Sequence, residues 1–151
     1  VKALSLTQPW SSLMAIGAKR YETRSWKTPY RGPLLIHAAK GFPREARDLL
    51  ALHPFCSVLE AAYPGFVNRR HGGLPLGVIL ARVELVDCVP AETAFDDLFE
   101  TPLPHGEHER VFGDFSAGRW AWITRGLTRL STPIPAKGHL SLWDFDLVEE
   151  A

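Results

Sequence analysis

The residues with the most chemistry to offer stand close together near the start of the chain. Gln8-Pro9-Trp10 is followed by Lys19-Arg20-Tyr21-Glu22-Thr23-Arg24-Ser25-Trp26. On an extended strand Arg20, Glu22, Arg24 and Trp26 share one face, because successive side chains alternate. Glu22 is then placed among cations. It could orient them, or accept a proton or an amino hydrogen bond. A guanidinium matches phosphate geometry through paired N–H donors. Indole rings such as those of Trp10 and Trp26 offer flat surfaces on which a base can stack. Gln8 adds an amide that can meet a base edge. The plainer reading is a solvated salt-bridge ladder, worth about 0–1 kcal/mol per pair.

Other side chains offer less. The run Pro104-His105-Gly106-Glu107-His108-Glu109 is rich in ligand atoms, but its spacing fits neither a zincin helix nor a Cys/His metal site, and it reads as a polar loop. No metal or cofactor is expected. Ser11 and Ser12 lack the Gly-x-Ser-x-Gly setting of a serine nucleophile. Cys88 lies in an apolar run and reads as buried and inert, and Cys56 and Cys88 form no CxxC pair. Trp120, Trp122 and Trp143 read as core.

The elements that must position these residues follow from periodicity. Leu4 and Leu6 alternate with polar neighbours and predict a short strand. Thr7 suits an N-cap and Pro9 a first helical turn, so Trp10, Leu13 and Met14 predict a helix that Gly17 stops. Lys19–Trp26 and Pro33–Ala38 read as strands, and Phe42–Leu52 as a helix opened by Pro43 and ended by Pro54. Residues 63–77 read as a loop. Gly77–Val89 gives the longest strand signal, and Thr93 could cap a brief helix holding Phe95, Leu98 and Phe99. A polar loop is expected over 101–118, then strands at Arg119–Thr124, Leu127–Ile134 and His139–Leu147. Many short strands with two or three helices, and no regular crossovers, predict an α+β fold: a small, mostly antiparallel barrel.

Length and charge bound the rest. The 151 residues suit one domain, and no apolar run reaches the ~20 residues of a membrane helix. The first residues show no signal-peptide core, so a cytoplasmic protein with no membrane partner is expected. Net charge is zero, which argues against a general nucleic-acid coat protein. The charge is nevertheless segregated: residues 1–40 carry +6, residues 85–114 carry −7 and residues 115–143 carry +4. A basic face can attract polyanions despite a neutral total. The acidic segment could instead dock a basic partner protein.

The string Leu4-Ser5-Leu6-Thr7-Gln8-Pro9-Trp10, then Gly17-x-Lys19-x-x-Glu22-x-Arg24-Ser25-Trp26, resembles the ASCH (activating signal cointegrator homology) domain, a PUA-like family. The likeness continues through Tyr30–Lys40 and Gly77–Cys88. It closes with Phe112-Gly113-Asp114-Phe115, Gly118–Trp122 and Pro135-Ala136-Lys137-Gly138. The resemblance implies one PUA-like domain over residues 1–151, with a helical and loop insertion at about 42–76. It further implies a cleft between the first helix and the barrel, and binding of RNA or single-stranded nucleic acid. Gln8, Trp10, Lys19, Glu22, Arg24, Trp26, Arg31, Lys40 and Lys137 are the expected contacts. The family also implies an alternative: hydrolysis of a modified nucleoside, as in acetylcytidine amidohydrolases, or ribonuclease activity. Lys19 would then be the base, with Glu22 beside it at a position where the amidohydrolase branch has Thr.

Overall fold

A computed structural model describes residues 1–95 and 106–147. Strand β1 (Lys2–Leu6) leads through helix α1 (Trp10–Ala15) to β2 (Tyr21–Arg24) and β3 (Gly32–Ala38). Helices α2 (Arg44–Asp48) and α3 (Phe55–Ala62) and short 3-10 turns fill the stretch up to β4 (Val78–Pro90). Helix α4 (Gly106–Glu109), β5 (Trp120–Pro135) and β6 (Leu142–Asp144) complete the chain. The six strands form one sheet in the order β2-β5-β4-β3-β1-β6. The β1–β3 pair is parallel and the other pairs are antiparallel. Register shifts interrupt the β4–β5 ladder between Ile79 and Ala81, Arg82 and Glu84, and Leu85 and Asp87. Such irregularities bend strands and add twist. The sheet accordingly curls into a half-barrel with β2 and β6 at its edges, an α+β fold as expected.

Helix α1 is the most enclosed element of the chain's first third. Residues 11–15 are all buried. Met14 and Ala15 pack into the sheet core with Leu4, Leu6, Leu34, Ile36 and Trp122. Leu13 and Ala18 pack the opposite way, against Phe55, Leu59, Phe66 and Phe112. The helix is thus sandwiched between the sheet and a second apolar cluster built largely by the 42–76 stretch. A chain segment leaving such a helix starts out in the interior, which sets the fate of Lys19.

Local signals divide into those that hold and those that do not. Gly17 ends α1 with φ +81°, and the N–H groups of Ala18 and Lys19 both donate to the Leu13 carbonyl. Thr7 does not cap the helix through its side chain. Gln8 takes that part instead: its Oε1 accepts from the Ser12 N–H at 3.2 Å. Pro54 both follows the α2 region and opens α3, a helix that the periodicity did not predict. The two strands expected over 119–134 are one 16-residue strand, β5. Leu98, Phe99, Pro104 and His105 lie outside the described residues. No described helix is long and apolar enough to cross a membrane.

Candidate nucleotide-binding site

Strand β2 pairs with β5, and this edge faces the start of α1 across a hollow of about 630 Å³. Ser5, Leu6, Thr7 and Trp10 line one side and Glu22, Thr23 and Arg24 another. Leu49, Leu52, His53 and Phe55 contribute from the 42–76 stretch, and Val111–Asp114 and Arg119 close the rim.

The polar wall is ordered. The Arg24 guanidinium donates from Nη2 to the Ser5 carbonyl at 2.9 Å and to Glu22 Oε2 at 3.1 Å. Its Nε is buried and has no partner among the described residues. Glu22 Oε1 accepts from the Thr23 N–H at 3.0 Å and lies 3.7 Å from Lys19 Nζ. Glu22 therefore sits between an ammonium and a guanidinium, with 12% of its side chain exposed. On the far rim Arg119 pairs with Asp114 at 3.4 Å and donates to the Thr23 carbonyl at 3.2 Å. Hydrogen bonds from Ser116, helped by Arg119, hold the Asp114 carboxyl below its ordinary range. The wall carries as many acids as arginines.

Lys19 lies beneath this wall rather than on it. Its side chain is fully buried, and Nζ donates to the carbonyls of Tyr21 and Phe112, the latter at 2.8 Å. Burial lowers its pKa; Glu22 and Glu109 act in the opposite direction. Glu109, expected in a polar loop, is also fully buried. Its carboxylate accepts from the Arg20 N–H at 3.0 and 3.1 Å and from the Tyr21 N–H at 2.7 Å. Burial raises its pKa against the pull of Lys19 and these N–H donors. Lys19 and Glu109 together tie the 109–113 rim to the start of β2. An ordinary lysine or glutamate left alone in such an interior would cost several kcal/mol.

Of the nine expected contacts, Trp10, Glu22 and Arg24 are brought together on the hollow. Gln8 is buried and spends its amide on Ser12 and on the Pro75 carbonyl, at 2.7 and 2.9 Å. Trp26 packs edge-on against Trp122, 4.7 Å between ring centres, and does not line the hollow. Arg31 donates to the carbonyls of Thr28 and Tyr30 and lies 3.6 Å from Asp87. Lys40 and Lys137 line a separate hollow. Arg20, expected on the Glu22 face, lines another hollow, at the C-terminal end of α1, with Arg125. Sequence pattern missed Asp114 and Arg119 as wall residues, although both stand in blocks that carried the family likeness. His53 and Phe55 had no such signal. Among the described residues no group of three His, Cys, Asp or Glu side chains could hold a metal ion.

The ASCH domain profile matches residues 4–115. The chain is 30% identical over 145 residues to activating signal cointegrator 1 of Homo sapiens and to that of Mus musculus. Those matches cover 95% of this chain and 22% of each relative, so the chain spans about a fifth of their length. Among solved structures, ASCH from Zymomonas mobilis is similar over 89% of this chain and 72% of its own, at 14% identity and a TM-score of 0.47. The profile match, together with the cointegrator likeness, shows that the chain belongs to the ASCH domain family.

Proposed function

We propose that this ASCH domain binds RNA or single-stranded nucleic acid by receiving one nucleoside unit in the hollow between α1 and β2. The observation that carries the reading is the Glu22–Arg24 pair. It sets the Glu22 carboxylate, whose oxygens keep lone pairs, beside a guanidinium whose Nε–H has no partner among the described residues, on the wall of a hollow that Trp10 also lines. Base edges display donors and acceptors side by side, and unstacked bases are recognised by hydrogen bonds along the edge and by aromatic contact. The volume falls within the ~300–1,000 Å³ of small-ligand pockets. The balanced charge of the wall suits a nucleoside better than a phosphate. Lys19 acts from behind. It fixes Glu22 and the Phe112 rim, and its N–H groups are turned to protein acceptors. The same burial weighs against Lys19 as the base of a hydrolase.

The test is binding of a short single-stranded RNA and of free nucleosides, followed by calorimetry. Arg24→Ala is expected to weaken both by about ten- to a hundredfold, the ~1.5–3 kcal/mol of a charged hydrogen bond. Unchanged affinity for both would remove the reading. Acetate release from acetylated cytidine, lost in Lys19→Ala, would move it to the hydrolase alternative.

A further inference from the structure

A charge-balanced nucleoside hollow leaves the phosphates of a strand without partners. The structure carries a second hollow, of about 1180 Å³. Ser5 lines both, so the two adjoin at the end of β1. The Ser5 carbonyl faces Arg24 in the first, and its hydroxyl faces His37 in the second. Lys40, from the segment after β3, and Lys137, from the segment after β5, line the second hollow, with His139 beside them. Both lysines are exposed, and neither has a hydrogen bond or ion pair among the described residues. Among the described residues no carboxylate lines this hollow. The contrast with the first is complete: there every wall arginine has an acidic neighbour.

The floor is fixed rather than loose. His37 Nε2 donates to the Ala136 carbonyl at 2.8 Å, which leaves Nδ1 to accept from the Ser5 hydroxyl at 2.9 Å. Trp143 Nε1 donates to the same hydroxyl at 3.2 Å. Gly138 lies so close that a Cβ there would stand 2.7 Å from Ser5 Oγ and 2.8 Å from His37 Cε1. This network pins the 135–140 segment to β1 and β3, and with it the backbone that carries Lys137. Two ammonium groups with no partner among the described residues, over a fixed polar floor, are the chemistry that meets a polyanionic backbone without reading sequence. Leu140, 93% exposed at the rim, offers apolar contact to a sugar or base.

We infer that the Lys40–Lys137 hollow is a phosphodiester-backbone site, which carries the strand onward from the nucleoside seated beside Glu22 and Arg24. The inference rests on the nucleoside reading for its register but not for its charge. It makes the domain a strand binder rather than a receptor for free nucleosides.

The experiment compares wild type, Lys40→Ala/Lys137→Ala and Arg24→Ala. Each is titrated with a single-stranded RNA of about twelve nucleotides, with free nucleosides and with phosphatidylserine vesicles. Removing both lysines is expected to weaken RNA binding on the order of tenfold at low salt. It should flatten the slope of log K against log salt by about 1.4, two phosphates at ~0.7 each. Nucleoside binding should not change. RNA affinity and slope both unchanged in the double variant would overturn the backbone site while leaving the nucleoside reading intact. Loss in the double variant with Arg24→Ala unaffected would support the backbone site and remove the nucleoside reading. Vesicle binding that depends on the two lysines, without RNA binding by wild type, would also overturn the inference. Lys40→Glu/Lys137→Glu is expected to lose more than the alanine pair, which separates charge from packing.

Discussion

The two hollows that meet at Ser5 are built on opposite principles. Each arginine and carboxylate on the wall of the Glu22–Arg24 hollow has an oppositely charged neighbour, and the wall is backed by a buried Lys19–Glu109 couple whose polar atoms have protein partners. The Lys40–Lys137 hollow leaves its lysines without partners among the described residues, over a floor of neutral hydrogen bonds. The first spends charge on geometry. A carboxylate and a guanidinium held by several hydrogen bonds keep one orientation and can discriminate. The second keeps charge available, so it can attract but discriminate little. Recognition of nucleic acid commonly divides this way, with base contacts specifying and phosphate contacts positioning.

The comparison can be broken by removing what holds each hollow. The largest effect is expected at Glu109. Glu109→Ala leaves the N–H groups of Arg20 and Tyr21 without their acceptor and takes one counter-charge from buried Lys19. Urea denaturation should show a loss of about 3–5 kcal/mol. The first hollow should lose its 109–113 rim while Lys40 and Lys137 stay in place. A loss below ~1 kcal/mol would mean that the buried couple does not support the wall.

Gly138→Ala should strike the other side. Its methyl would meet Ser5 Oγ and His37, neither of which can swing aside without breaking its hydrogen bonds. Overpacking of this kind costs about 1–3 kcal/mol. The imidazole resonances of His37 should shift, and RNA binding should fall more than nucleoside binding. An unshifted His37 spectrum would show that the 135–140 segment is not pinned.

The smallest effect sharpens the contrast through pH. Burial raises the Glu109 carboxyl above its ordinary value of 4.5. Between 4.5 and that raised value the folded protein holds a proton that the unfolded chain has released. The share of stability that depends on this proton is therefore fully present below 4.5 and is lost as pH rises through the folded pKa, while the hydrogen bonds to the carboxylate remain. Glu109→Gln should remove this decline from the pH–stability curve measured by urea midpoints. A curve of unchanged shape would assign the titration elsewhere.

Much of the frame is legible in the chain itself. Alternating apolar residues mark β1, because a half-buried strand must alternate, and apolar runs mark β3 and the start of β4, where successive residues are buried. Gly17 marks the end of α1, because the chain there needs positive φ. The placement of Glu22 between cations follows from their closeness in sequence, although its partners are Lys19 and Arg24 rather than Arg20 and Arg24. Helix α3 escaped because Pro54 reads equally as a stop and as a start, and only the packing of Phe55 and Leu59 on Leu13 decides between them. The acidic 85–114 segment, considered as a docking surface, lies partly outside the described residues.

What the sequence could not settle is which polar side chains face inward. Lys19 and Lys40 are the same residue type in the same basic segment, yet one is sealed in the interior and the other open. The difference arises because α1 is clamped between the sheet and the 42–76 stretch, and because acceptors for Lys19 arrive from Phe112, 93 positions away. Glu109 is buried for the corresponding reason, by backbone donors 88 and 89 positions distant. Local pattern fixes the period of a strand or the end of a helix. The burial of a charge depends on long-range partners, and those come together only when the chain has folded.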